Sequence, residues 1–176
     1  MENIKIIDNF FSKEELNKIQ NVLNNKEKEW HYGHNSGDYE KYNNNFFAVY
    51  ILGNYFKTNI IKKFEEIFNK KFQLIRNYMH IQTYGQDGSY HLDCPEDIEN
   101  TYTFCIYITD ISDSDMENAD GDFLLKIPNS NFIICINTLN NRGVFFQSTY
   151  FHKGMAYNRF YNNKRLCITW KLKEII

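Results

Sequence analysis

Apolar residues recur at helical spacing in the first part of the chain and at strand spacing in the rest. Ser12-Lys-Glu-Glu15 leads into Leu16, Ile19 and Leu23, with Lys and Asn between them. A serine followed three residues later by glutamate is a capping box, in which each residue satisfies an orphan amide of the other's turn, so a helix is predicted to start at Ser12. A second helix is predicted over Tyr55–Asn69. There Phe56, Ile60, Phe64, Ile67 and Phe68 fall on one side, and Lys62, Lys63, Glu65 and Glu66 on the other. Ile4–Ile7 is a short β-prone run closed by Asp8-Asn9. Between the helices, Glu27–Asn45 is rich in Asn, Gly, Tyr, His and charge without a sustained period, and reads as a loop with half-buried aromatic rings.

After Lys70 the period changes to short strands divided by Asn, Asp, Gly and Ser turns. The predicted strands are Phe72–Tyr84, Tyr90–Asp93, Tyr102–Thr109, Asp122–Ile127, Phe132–Ile136, Val144–Gln147, His152–Tyr157 and Leu166–Leu172. This is a mainly β protein with flanking N-terminal helices, and a run of short strands without alternating helices reads as a sandwich or jelly roll. One domain over residues 1–176 is expected, with a helical buttress at about 12–69 and a jelly-roll core at about 70–174. Ser112–Asp120 and Glu96–Asn100 are read as loops at the mouth of that core.

Composition narrows the class. A 43% hydrophobic and 17% aromatic chain of 176 residues can bury a substantial core. No apolar run reaches the ~18 residues of a membrane span, and Met1-Glu-Asn-Ile-Lys has neither the basic flank nor the apolar core of a signal peptide. A cytoplasmic location without membrane contact is the resulting expectation. Cys94, Cys105, Cys135 and Cys167 show no C-x-x-C spacing, so they are read as reduced thiols, mostly buried in strands. A net charge of -2 disfavours a general polyanion binder.

The candidate chemistry centres on His91-Leu-Asp93, just after the glycine-containing stretch Tyr84-Gly-Gln-Asp-Gly88. On a strand, residues two apart point to one side, so the imidazole and the carboxylate are expected to converge. Non-haem iron(II) is held by two histidines and one carboxylate, with open positions for other ligands. His152 is the best candidate for the second histidine. It precedes Arg165, which heads the last apolar strand. His80 is the fallback, and His31 and His34 lack a comparable context.

That order resembles the iron(II)/2-oxoglutarate-dependent dioxygenases, and more closely their prolyl-4-hydroxylase-like branch with its small viral and bacterial members. The resemblance runs from about Phe10 to the end of the chain. It is carried by Tyr84-Gly and Tyr90-His-Leu-Asp93, Thr103-Phe-Cys-Ile-Tyr-Ile-Thr-Asp110, Gly121-Asp-Phe-Leu-Leu-Lys-Ile-Pro128, Asn141-Arg-Gly-Val-Phe-Phe146, His152, and Arg165-Leu-Cys-Ile-Thr-Trp170. Many relatives carry paired glycines where this chain has Asp120-Gly121, which leaves the conformation of that turn open.

The resemblance implies a double-stranded β-helix and a hydroxylase. Its cofactors would be Fe(II), 2-oxoglutarate and O2, with ascorbate as an accessory reductant, and its products succinate and CO2. It implies His91, Asp93 and His152 as metal ligands, and Arg165 as the grip on the distal carboxylate of 2-oxoglutarate. Tyr84 and Thr169 would contribute hydroxyls to the cosubstrate. Arg142 and Arg159 are alternative anchors. By strand parity, Arg165, Cys167, Thr169 and Lys171 share an inward face, and Lys171, about 20 Å beyond Arg165 at roughly 3.3 Å per residue, is expected at the rim, meeting substrate or an acidic side chain. A peptide or protein substrate, proline foremost, is implied. The alternatives are a nucleobase demethylase, whose terminal strand has Asn and Arg where this chain has Cys167 and Lys171, and a non-catalytic jelly-roll binding module.

Overall fold

The computed structural model describes residues 4–24, 29–36, 45–50, 53–94 and 98–176. The order of elements is β1 (Ile4–Ile7), α1 (Lys13–Asn24), β2 (His31–Asn35), β3 (Asn45–Tyr50), a π-helical turn (Tyr55–Asn59) running into α2 (Ile60–Phe68), then β4 (Lys71–Gln82), β5 (Thr101–Ile108), α3 (Asp113–Ala119), β6 (Phe123–Lys126), β7 (Ile133–Ile136), β8 (Gly143–Gln147), β9 (His152–Gly154) and β10 (Arg165–Ile175). Among the described residues, a large sheet ordered β1-β8-β5-β10-β4-β3-β2 faces a small one ordered β7-β6-β9. The pairings within both sheets are antiparallel. This is the expected jelly roll.

The capping box forms as predicted. Ser12 N donates to Glu15 Oε2 at 2.8 Å, and Glu15 N donates to Ser12 Oγ at 3.2 Å. The same carboxylate receives Tyr55 Oη at 2.8 Å and Lys63 Nζ at 2.9 Å, which ties the start of α1 to the second helical segment. Ile19 is fully buried, and the side chain of Leu23, the last member of the predicted face, lies outside the described residues. The second helix opens with one π-helical turn, where Thr58 Oγ1 donates back to Asn54 O at 2.7 Å. It ends at Asn69, whose φ of 50° is the left-handed conformation that a helix stop uses.

β10 is the axis of the molecule. Paired to β4 on one edge and β5 on the other, it is buried from Arg165 to Leu172 because both of its faces are covered. Leu166, Ile168, Trp170 and Leu172 pack under the helices with Phe10, Phe56, Ile60, Phe64 and Phe104, each fully buried large apolar side chain contributing roughly 1.5–3 kcal/mol. The indole Nε1 of Trp170 donates to Phe56 O at 2.9 Å, so the π-helical turn is pinned to the central strand. The other face of β10 looks toward the small sheet, with Cys167 packing among Cys105, Tyr107, Phe123, Leu125 and Phe146.

Several expectations are corrected. Glu27–Asn45 is not wholly loop: His31–Asn35 and the segment from Asn45 form β2 and β3, which extend the large sheet within the stretch expected to be a helical buttress. Residues 27–28 and 37–44 of that expected loop lie outside the described residues, as do 96–97 of Glu96–Asn100. Ser112–Asp120 holds a helix, α3, capped by Ser112, whose Oγ accepts from Asp115 N at 3.3 Å. Tyr90–Asp93 is not a strand but a single bridge between His91 and His152. Cys105 and Cys167 are buried strand thiols, whereas Cys135 is exposed and Cys94 lies between the strands. Among the described residues no helix is long and apolar enough to cross a membrane.

Candidate metal and cosubstrate site

His91 and His152 exchange both backbone hydrogen bonds, each amide donating to the other's carbonyl at 3.1 Å. Their rings therefore lie side by side, with centroids 4.3 Å apart. Each Nδ1 is 2.9 Å from a carbonyl two residues upstream, Ser89 O for His91 and Tyr150 O for His152. A carbonyl can only accept, so both Nδ1 atoms carry protons and both Nε2 lone pairs are left for a ligand. Those Nε2 atoms point at Asp93, 3.5 Å from its Oδ1 and Oδ2 respectively. Among the described residues these three side chains form one group able to hold a metal ion, their ligand atoms lying within 4.8 Å of one another. The pair spacing His-x-Asp thus converges without a strand, through the bridge at His91 and the donation of Asp93 N to Ser148 O at 3.0 Å.

The carboxylate of Asp93 is buried, with 3% of its side chain exposed. Burial opposes its ionisation, but the neighbouring imidazoles and Lys171 outweigh that and hold the carboxyl well below the usual range. Burial also lowers His152 to about 4, so at pH 7 it is a neutral imidazole, the form that binds metal. Lys171, whose Nζ lies 2.7 Å from Oδ1, brings a positive charge to Asp93 at neutral pH. The other oxygen, Oδ2, accepts from Thr103 Oγ1 at 2.6 Å, and Thr103 in turn meets Ser148 Oγ at 2.9 Å. Lys171 is thus 8% exposed and meets an acidic side chain, as one of its two expected roles had it, although that partner lies in the candidate ligand set and not at a rim.

The group opens into a cavity between the two sheets with about 80 Å³ of space. Since one water takes about 10–15 Å³ on that measure, the space suits a small molecule rather than a peptide chain. The inward row predicted from parity, Arg165, Cys167, Thr169 and Lys171, lines it, beside Gln82, His80, Tyr78 and Arg76 of the neighbouring strand β4. Arg165 is 2% exposed and is no surface charge. Its Nε donates to Gly121 O at 2.7 Å and its Nη1 to Gln82 Oε1 at 2.5 Å. Gly154 leaves room for it, since a Cβ there would come within 2.9 Å of the guanidinium nitrogens. Nη2 is buried without a hydrogen-bond partner among the described residues.

Tyr107, which the sequence did not single out, completes that end. Arg165 Cζ stands 4.9 Å from its ring centre, and its buried hydroxyl makes no well-aligned hydrogen bond among the described residues. Burial, and then the thiols of Cys105 and Cys167, outweigh the lowering by the adjoining guanidinium and raise its pKa far above that of free phenol, so the hydroxyl remains a donor. A guanidinium and a phenol placed side by side offer two donors and only one weak acceptor, so this end of the pocket has donor capacity that an acceptor would satisfy. A carboxylate meets that need.

Tyr84 does not reach this cavity. Gln86 N donates to Thr83 O at 3.0 Å and Gly85 has φ of 80°, so the chain turns sharply after β4 and leaves Tyr84 64% exposed. Arg142 is spent on Asp8, donating from Nε at 2.5 Å and from Nη2 at 2.9 Å, and Arg159 is exposed beside Phe160. His80 lines the cavity but stands against His34 and Phe46, outside the convergent group.

The sequence matches no protein-family model and none of the curated proteins compared with it. In structure it is similar to an oxidoreductase of the 2OG-Fe(II) oxygenase family from Burkholderia pseudomallei, with a TM-score of 0.73 at 12% identity, over 98% of this chain and 85% of that one. It is also similar to a prolyl hydroxylase from Trichoplax adhaerens in complex with a hypoxia inducible factor oxygen degradation domain peptide, with a TM-score of 0.67 at 17% identity, over 98% and 84%. A third is the viral collagen prolyl hydroxylase of Paramecium Bursaria Chlorella virus-1 in complex with 2OG, with a TM-score of 0.62 at 14% identity, over 97% and 96%.

Proposed function

We propose that this chain is an Fe(II)- and 2-oxoglutarate-dependent dioxygenase that hydroxylates a peptide or protein side chain, proline first among the candidates. The observation that carries this reading is the pairing of two unfilled sets of groups in one cavity. Two Nε2 atoms and a carboxylate converge at one place, and the Arg165 guanidinium and the Tyr107 hydroxyl stand together at another with no well-aligned acceptor for Arg165 Nη2 among the described residues. The first set is the two-histidine, one-carboxylate face that suits iron(II). The second suits the distal carboxylate of a small dicarboxylic acid.

In this reading His91, Asp93 and His152 hold the metal, and Arg165 and Tyr107 hold the cosubstrate, with the Thr169 hydroxyl nearby. Bound there, iron(II), 2-oxoglutarate and O2 supply the oxidative decarboxylation to succinate that drives C–H hydroxylation. The protein's residues orient and shield. Ser89 O and Tyr150 O fix both imidazoles, and Thr103 and Lys171 fix the carboxylate. Gln82 and Gly121 O hold the guanidinium, and Phe123 and Phe46 help to close the cavity against water. Peptide hydroxylation is supported by fold likeness to prolyl hydroxylases, one of them bound to a peptide.

The test is incubation with iron(II), 2-oxoglutarate and O2 against proline-containing peptides and methylated oligonucleotides, read by mass spectrometry. A peptide gaining one oxygen is expected. Demethylation of the oligonucleotides with no change in any peptide would replace this substrate class with the other.

A further inference from the structure

The cosubstrate reading accounts for one end of the cavity. At the other, strand pairing sets Arg76 of β4 directly across from Lys171 of β10, and both line the space. Tyr78 sits between them, its ring centre 4.8 Å from Arg76 Cζ and 6.0 Å from Lys171 Nζ. Lys171 is already paired with Asp93. Arg76 is not paired: among the described residues no carboxylate forms an ion pair with it, and its buried Nε has no hydrogen-bond partner.

The charges lining the cavity are therefore unbalanced, with Arg76, Arg165 and Lys171 facing the carboxylate of Asp93. His34, beside Arg76, adds none at neutral pH, since burial first, and then the positive charges of Arg76 and Lys171, lower it to about 4. Iron(II) and the dianion of 2-oxoglutarate cancel each other, so the positive excess would persist in the loaded enzyme. Arg165 meets the cosubstrate, and Arg76 is left over. A guanidinium held partly out of water without an anion is costly.

Arg76 also stands where the cavity meets the outside. A surface groove of about 410 Å³, walled by Tyr32, Gly33, Ala48 and Tyr50, shares Arg76, His34 and Asn35 with the inner cavity. A chain lying in that groove passes Arg76 on its way to the proposed metal.

We propose, resting on the dioxygenase reading, that the substrate carries a carboxylate close to the reacting carbon, and that Arg76 receives it with Lys171 as the flanking charge. Nε and one Nη of a guanidinium present the parallel N–H pair that a planar carboxylate accepts at both oxygens. With Lys171 on Asp93 and Arg165 assigned to the cosubstrate, Arg76 is the one lining cation without an assigned anion among the described residues, and its planar fork fits a carboxylate. The carboxylate is either an Asp or Glu side chain of a peptide or a chain-terminal carboxyl group.

The experiment is isothermal titration, without oxygen, of protein loaded with iron(II) and 2-oxoglutarate. The ligands are proline-containing tripeptides in matched pairs: Glu against Gln beside the proline, and free carboxyl against amide at the C-terminus. A phosphoserine tripeptide is included. At least one acid is expected to bind tenfold or more tightly than its neutral partner, and the series that shows it identifies the source of the carboxylate. Arg76→Gln should erase the preference while 2-oxoglutarate affinity stays within about twofold of wild type, and Arg76→Lys should retain part of the preference. No acid exceeding its neutral partner, including a panel in which nothing binds, overturns the proposal. So does a preference that survives Arg76→Gln, or tightest binding by the phosphopeptide. Failure of wild type to bind 2-oxoglutarate with iron would instead overturn the reading beneath it.

Discussion

The guanidinium carbon of Arg165 lies 4.9 Å from the centre of the Tyr107 ring, and both side chains line one cavity, where Nη2 and the phenol oxygen have no well-aligned acceptor or donor among the described residues. One comes from the head of β10 and the other from the partner strand β5, whose register sets Tyr107 opposite Cys167, two residues from Arg165 on the same face. If they hold the cosubstrate, Arg165→Lys should weaken 2-oxoglutarate by about tenfold or more, since an ammonium cannot reproduce a planar fork. Tyr107→Phe should weaken it by roughly three- to tenfold, the worth of about one hydrogen bond. Anaerobic titration calorimetry checks both, and unchanged affinity in both variants would move the anchor elsewhere.

Lys171 and Asp93 make a buried ion pair inside the candidate ligand set. Lys171→Met strands a buried carboxylate, a change that costs on the order of 3 kcal/mol. A divalent cation would restore the missing charge. The expected outcome is a lower melting temperature for the metal-free variant and a larger rise on adding iron(II) or manganese(II) than in wild type. Equal rises in the two proteins would mean that the metal does not sit at Asp93.

Glu15 serves a helix cap, a tyrosine and a lysine at once. Burial raises its pKa, but Lys63, the Ser12 amide and Tyr55 outweigh that and bring it to about 2, from 4.5. A folded-state pKa below the unfolded one means stability that is full above about pH 4.5 and is lost as pH falls through about 2. Glu15→Gln should cost about 1 kcal/mol at pH 7, reduced by the exposure of the site. Urea melts from pH 7 to pH 2 should show that difference shrinking below pH 4.5.

Asp120 adopts φ 58° and ψ -139°, a region that favours glycine, and Gly121 follows at φ 79°. An aspartate therefore holds a backbone conformation that glycine adopts more readily. Asp120→Gly should relieve strain of about 1–3 kcal/mol against an entropic cost of about 0.5–1 kcal/mol, a net gain of about 1 kcal/mol in urea denaturation. Gly121→Ala should do the reverse, because its Cβ would run into the Tyr157 ring.

Much of this was legible in the chain. Ser12-x-x-Glu15 announced its helix because the capping box is local chemistry, and β10 declared itself by an apolar run whose parity sorted helix-facing from cavity-facing residues. What escaped did so for physical reasons. His31-Tyr-Gly-His-Asn35 has no apolar alternation and forms a strand through pairing with β3. Asp113–Ala119 buries only Met116 and Ala119, too few for a helical period, although Ser112-x-x-Asp115 marked its start. Tyr107 looked like core because it sits in an apolar strand, and only its inward parity with Cys105 hinted at the cavity. Tyr84 misled because a motif position says nothing of which way a turn sends its side chain.

The central claim is that His91, Asp93 and His152 hold an iron that turns over 2-oxoglutarate. The most direct measurement is succinate formed from 2-oxoglutarate and O2 with and without iron(II), in wild type beside Asp93→Ala. The account expects iron-dependent succinate from wild type and a loss of at least about 100-fold in the variant, at or beyond the upper end of the about 10–100-fold typical of outer-shell partners. Succinate formed without iron, or undiminished in Asp93→Ala, would contradict it.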